Sequence, residues 1–287
     1  MWNKTHKNKI RFNNKNQNKN QNQNKNQNQN QNKTRKNSNQ TLWSSLRTAM
    51  AQKYKCDTEY CAVKKLAGKS EKPTMLKFFK PDRPAAWDKD PKQWLDTENI
   101  ENVMEQYEEG FPEFAFLGAV PLDFDKTIPE WGQCVREEMC KLDLEKSAKK
   151  GKTKIGVIFN LDPHDKPGSH WVAAYIDIPT KSAYYYDSYG YMPEKEIADF
   201  LQRCQDQGCS KVYYNDIRHQ RSESECGTYC MYMILSMLGG RPFQEICKDV
   251  VNDDVMNTFR DVLFAEEKPR KDAIEKALPM LQRLRLV

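Results

Sequence analysis

Histidine is scarce in this sequence, with four in 287 residues, and no two cysteines stand as Cys-x-x-Cys. Without such pairs a structural zinc site has little support, so no metal is expected. Long apolar runs are missing too: the stretch 231–238 is broken by Ser236 and is far too short to span a bilayer. No apolar leader opens the chain, and the nine cysteines form an odd, scattered set. These features read as a soluble, intracellular protein in a reducing compartment, with no membrane partner. Acidic residues are absent from positions 1–40, which carry eight Lys and two Arg. That segment is +10 while the whole chain is +6, so the remainder carries −4. The basic balance belongs to a tail, and the net charge does not imply a DNA-binding domain.

What is present sorts into three parts. Residues 13–32 contain only Asn, Gln and Lys, too little apolar surface to offset the entropy of ordering. Residues 1–40 are therefore expected to be a disordered basic tail, able at most to touch nucleic acid nonspecifically or to self-associate through side-chain ladders. Residues 41–93 form an extension with a short helix expected near 43–52 and loops around Pro73, Pro81 and Pro84. The globular domain is expected over 94–287.

Within it the hydrophobic period changes several times. Asp96 is placed to cap a helix carrying Ile100, Val103, Met104 and Tyr107, ended by Gly110 and Pro112. A second helix is expected after Pro129, with Trp131, Val135, Met139 and Leu142 on one face. Strands are expected at 154–160, 171–178 and 183–187, the last two joined by a Pro179-Thr180 turn. A helix over 194–205, a strand over 211–217 and a helix over 226–238 follow, the last with a stripe of Cys226, Cys230, Met233, Ile234 and Met237 and ended by Gly239-Gly240. Two or three helices close the chain. Helices flanking a short run of strands define an α+β fold.

Nucleophilic thiol chemistry needs a thiolate, an imidazole in reach, a group to orient the imidazole, and donors for an oxyanion. His6 lies in the tail, His164 in a polar loop and His219 in a polar stretch. His170 stands at the mouth of a strand, followed at once by Trp171, which can wall a site. With the turn at Pro179-Thr180, His170 pairs with the region from Asp187 to Tyr189. Cross-strand Cβ atoms lie about 4.5–5.5 Å apart, so Asp187 is the orienting candidate. Asp177, seven residues along the same strand, is on the order of 23 Å away at about 3.3 Å per residue. Among the cysteines, Cys226 lies where the polar segment 218–225 turns into an apolar helix. A helix N-terminus favours the anion and can lower a thiol pKa from about 8.5 to roughly 3.5–7.5. Gly227 beside it leaves room for a substrate backbone. Gln220, six residues before the thiol, could fold back as a second oxyanion donor, whereas Cys230, one turn further in, is expected to be a core thiol.

The order His170-Trp171, Asp187, Gln220, Cys226-Gly227 resembles the ubiquitin-like-protein (SUMO) cysteine proteases, whose clan includes adenain, the adenovirus maturation protease. Trp94-Leu95 followed by the first helix resembles that family's opening segment. The resemblance covers about 94–264 and implies a papain-like fold with a central mixed sheet flanked by helices. It implies a triad of Cys226 as nucleophile, His170 as base and Asp187 as orienter. Gln220 and the Cys226 amide would hold the oxyanion, and Trp94, Trp171 and Gly227 would shape a groove that prefers glycine. No cofactor is implied. Glu225 departs from the Asp usual before Cys-Gly. With the Asn/Gln/Lys tail, the whole also resembles thiol proteases of mimivirus-type giant viruses, which implies viral precursor proteins as substrates and the virion or host cytoplasm as location. Removal of ubiquitin-like modifiers by isopeptidase action is the alternative. Acetyl transfer by the same triad, and a non-enzymatic module tethered to nucleic acid or capsid, stay open as further readings.

Overall fold

A computed structural model of the chain describes residues 80–265 apart from 131, a helix α1 at Glu59–Leu66, and isolated positions elsewhere between 48 and 68 and between 275 and 282. The expected tail at 1–40, most of the expected helix at 43–52, and Trp131 lie outside the described residues. The elements that build the site all fall between residues 80 and 265.

Helix α2 (Thr97–Gly110) starts at the expected cap: the Asn99 N–H donates to Asp96 Oδ1 at 2.7 Å, and the Asn99 side chain accepts from the Asp96 N–H in return. Its Ile100, Val103 and Met104 are buried at helical spacing. A five-stranded sheet follows in the order β1-β4-β5-β6-β7. Its strands are β1 (Phe114–Val120), β4 (Lys154–Asn160), β5 (Trp171–Asp177), β6 (Ser182–Tyr186) and β7 (Lys211–Tyr214). The β1–β4 and β6–β7 pairs are parallel and the two central pairs antiparallel, so the sheet is mixed.

Side-chain alternation along β5 divides the core. Trp171, Ala173 and Tyr175 face a cluster containing Ile100, Tyr229, Ile234 and Phe259. Val172, Ala174 and Ile176 face another, containing Phe124, Phe159, Phe200 and Leu201. Helix α5 (Lys195–Asp206) supplies Phe200 and Leu201 on the second face. Helix α6 (Cys226–Leu238) lies on the first, flanked by α2, α7 (Phe243–Lys248) and α8 (Asp253–Leu263). The expected stripe on α6 is replaced by burial all round, Met237 excepted. Gly156 permits this close approach: a Cβ there would stand 2.9 Å from the Phe114 ring and 3.3 Å from Ile234.

Four expectations need correction. No long helix follows Pro129. Instead β2 (Thr127–Ile128) and β3 (Gln133–Cys134) pair antiparallel around Gly132, whose φ of 62° belongs to a turn. Only the short helix α3 (Glu137–Cys140) comes next, before α4 (Leu144–Lys149). Strand β1 has no counterpart in the sequence reading, because Gly118 at φ 104° breaks its pairing pattern and hides the period. The cysteines are not all thiols: Cys134 is bonded to Cys140, and Cys61 is also in a disulfide. Finally, the folded unit starts before residue 94. Trp87 is buried against Phe264, with ring centres 4.9 Å apart, and the Arg83 N–H donates to Ala265 O.

Candidate active site

The β5–β6 hairpin turns at Pro179-Thr180, closed by the Lys181 N–H donating to Ile178 O, and pairs Asp177 with Ser182 through to Ala173 with Tyr186. Continuing that register past the ladder brings His170, just before β5, opposite the residues just after β6. There His170 Nε2 lies 2.7 Å from Asp187 Oδ1, with the two side chains 12% and 1% exposed. Cys226 is the first residue of α6 and lies near enough to the His170 ring to act on its charge. With Nε2 turned to Asp187, the other ring nitrogen, Nδ1, is the one available to the thiol. Burial acts most strongly on His170 and alone would lower its pKa. The hydrogen bonds and charges of Asp187 and Cys226 outweigh it and raise the pKa to about 9. By contrast, burial pushes the Cys204 and Cys247 thiols up to about 12 and also raises Cys209 and Cys230.

Gln220 is buried, and both ends of its amide are engaged. Its Oε1 accepts from Ser188 Oγ at 2.7 Å, and its Nε2 donates to Ser222 O at 2.9 Å. Those partners fix which end is the donor. Ser188 O also accepts the backbone N–H groups of His219 and Gln220. Glu225 is buried beside the thiol but satisfied by Ser222, by Ser224 at 2.7 Å and by Asn257 at 2.8 Å. This network accommodates the longer acid.

Trp94 and Trp171 come together on the wall of a cavity of about 390 Å³, with Leu95, Asp96 and Arg136 among its other lining residues. Cys226 is not among its lining residues. Trp171 is held by its Nε1–H donating to Leu95 O at 2.9 Å. Gly227 departs from the groove expectation. The place of its missing side chain is taken by Leu95, 3.2 Å from where a Cβ would stand, and by Ile100 at 3.4 Å. Its smallness serves the packing of α6 against α2 and the segment before it.

The other histidines have different surroundings. His164 Nδ1 lies 2.7 Å from Asp123 Oδ2 on the cavity rim. His219 is buried between the Tyr186 hydroxyl and Cys247 O, and burial lowers its pKa. Sequence reasoning gave no role to Asn215, which ends β7 before the expected 217. Its Nδ2 donates to Asp187 O at 2.7 Å and to Ile217 O at 2.9 Å. Nor did it assign Ser188 or Tyr189 any role, although the hairpin register already placed Tyr189 opposite His170.

Residues 145–272 match the Ulp1 protease family, C-terminal catalytic domain. The chain belongs to this family and is a cysteine peptidase. Its relatives include a protein of Acanthamoeba polyphaga mimivirus named, by inference, as a thiol protease. That protein is 31% identical over 226 residues, which cover 75% of this chain and 71% of the relative. A SUMO-1 cysteine protease of African swine fever virus is 25% identical over 180 residues, 58% of this chain and 66% of that protein. The crystal structure of an African swine fever virus protease shares the fold, with a TM-score of 0.63 at 24% identity over 78% of this chain and 90% of that one. Among the described residues no helix is long and apolar enough to cross a membrane.

Proposed function

We propose that Cys226, His170 and Asp187 are the catalytic triad of a cysteine endopeptidase that processes viral precursor proteins at glycine-rich or small-residue sites. The observation that carries the reading is one histidine bonded to a buried carboxylate and acted on by the thiol that heads a buried helix. The Cys226 thiolate attacks the scissile carbonyl, forming a C–S bond as the C=O π electrons move onto oxygen. The first N–H of α6, which has no intrahelical acceptor, and the second N–H of Gln220 Nε2, the one not given to Ser222 O, stabilise that oxyanion. His170 gives its proton to the leaving amine as the C–N bond breaks, leaving a thioester. Water then attacks the thioester carbonyl as His170 takes its proton, the C–S bond breaks, and the acid leaves with the Cys226 thiolate and the His170 imidazolium restored. The cavity beside Trp94 and Trp171 supports binding of an extended, narrow substrate segment.

The viral part of this reading rests on the relatives in mimivirus and African swine fever virus. A second reading, deconjugation of ubiquitin-like modifiers, is favoured by the name of the swine fever relative, SUMO-1 cysteine protease. Comparing peptide termini produced by the active chain and by Cys226→Ala in a virion-protein extract, beside a SUMO or ubiquitin C-terminal reporter, tests both. New termini after Gly-Gly with a silent reporter support processing, and rapid reporter turnover without new termini overturns it. The +10 charge of residues 1–40 supports weak, salt-dependent contact with nucleic acid as an accessory property.

A further inference from the structure

Tyr189 is tied into the candidate site at three points, none of which the triad requires. Its backbone N–H donates to Asp187 Oδ1 at 2.9 Å, the same oxygen that faces His170 Nε2. Its hydroxyl donates at 3.0 Å to Ser222 O, in the loop leading to Cys226. Its ring lies on the His170 ring, with centres 4.7 Å apart and planes 18° from parallel. The Arg218 guanidinium carbon sits 5.0 Å from the centre of the same tyrosine ring, and Arg218 Nε donates to Gln220 O at 2.9 Å.

A hydrogen bond through one ring nitrogen fixes an imidazole at a point but leaves it free to swing about that point. Stacking against a plane removes the swing and holds Nδ1 toward the thiol. An aromatic face also attracts a cation, so it favours the imidazolium over the neutral ring. The tyrosine in turn is held by its hydroxyl, its own N–H and the guanidinium. None of these contacts is made to Cys226 itself.

We propose that Tyr189 is a positioning residue for the general base: its ring clamps His170 in the orientation and charge state that the thiol needs. This rests on the triad reading above. The test compares Tyr189→Phe, which keeps the ring but loses the Ser222 bond, with Tyr189→Leu, which keeps the bulk but loses the aromatic face, in the full chain. For Leu we expect kcat to fall about 10-fold with KM within about twofold, and the alkaline limb of the kcat profile to move down by about half a pH unit. Phe should keep the limb in place and retain kcat within about threefold. A Leu variant with unchanged kcat and limb overturns the proposal, as does a Phe variant that loses as much as Leu. Should Leu not fold, judged by its thermal transition, Tyr189→Trp takes its place and must keep the limb where Tyr189→Phe keeps it. Full activity in Cys226→Ala would instead sink the triad reading itself, whatever Tyr189 does.

Discussion

His170 keeps its proton to about pH 9, although burial opposes it, because Asp187 and Cys226 favour the charged ring. Its folded pKa lies above the ordinary value of 6.5. The associated stability is therefore fully present below pH 6.5 and is lost as pH rises through about 9. Activity should follow the same sign, with kcat/KM falling above about pH 9 as the leaving amine loses its proton donor. Asp187→Asn should lower kcat roughly 10²–10⁴-fold and move that limb toward 6.5, seen in a pH series on a peptide substrate. Cys226→Ala and His170→Ala should each abolish hydrolysis while the fold stays intact, and His170→Ala should also lower the thermal transition below about pH 9 because buried Asp187 loses its partner. Iodoacetamide at neutral pH should label Cys226 ahead of Cys204, Cys209, Cys230 and Cys247, whose pKa values burial raises. The placement of these three residues was legible in the sequence because each stands at an element boundary that hydrophobic period reveals. Ser188 and Asn215 were not. A serine or asparagine in a polar stretch looks the same whether or not its side chain reaches a buried amide or carbonyl.

Elements were legible where their period was clean and obscure where glycine or covalent bonding intervened. Strand β4 and helix α6 fall on the residues expected, 154–160 and 226–238. Strand β1 and the β2–β3 hairpin were missed because Gly118 and Gly132 change the backbone path without changing composition. The loop after β6 relies on such a glycine. Gly190 has φ 77°, and a Cβ there would meet the backbone of Asp216 and Ile217 at 3.0 Å. Gly190→Ala should cost about 1–3 kcal/mol in urea unfolding and lower kcat as well, since Asp187 and Tyr189 sit on the same loop. Between Cys134 and Cys140 lie Val135 and Arg136, both on the cavity wall, and Arg136 pairs with Glu101 at 3.3 Å. Cys140→Ser should cost about 2 kcal/mol of stability and raise KM more than it lowers kcat, which steady-state kinetics would separate.

At the scale of the folded unit, residues 83–91 form a strap that sequence reading assigned to an extension. Trp87 is buried and sits under the Arg260 guanidinium, whose central carbon is 3.5 Å from the ring centre, while Arg260 Nη1 donates to Pro91 O at 3.3 Å. Isolated Trp and Pro residues in a charged stretch give no period, so this contact could not be read from composition. Trp87→Ala should cost about 3–5 kcal/mol in chemical denaturation, and a chain beginning at 94 should lose cooperative unfolding that one beginning at 80 retains. Helix α6 is enclosed in turn by the sheet, α2 and α8, and it carries Cys226 at its head. Enclosure of that kind sets an order in biosynthesis. The walls of α6 include α8, which ends at residue 263 and leaves the ribosome after it. A nascent chain therefore holds Cys226 in an unfinished shell until α8 has emerged and docked.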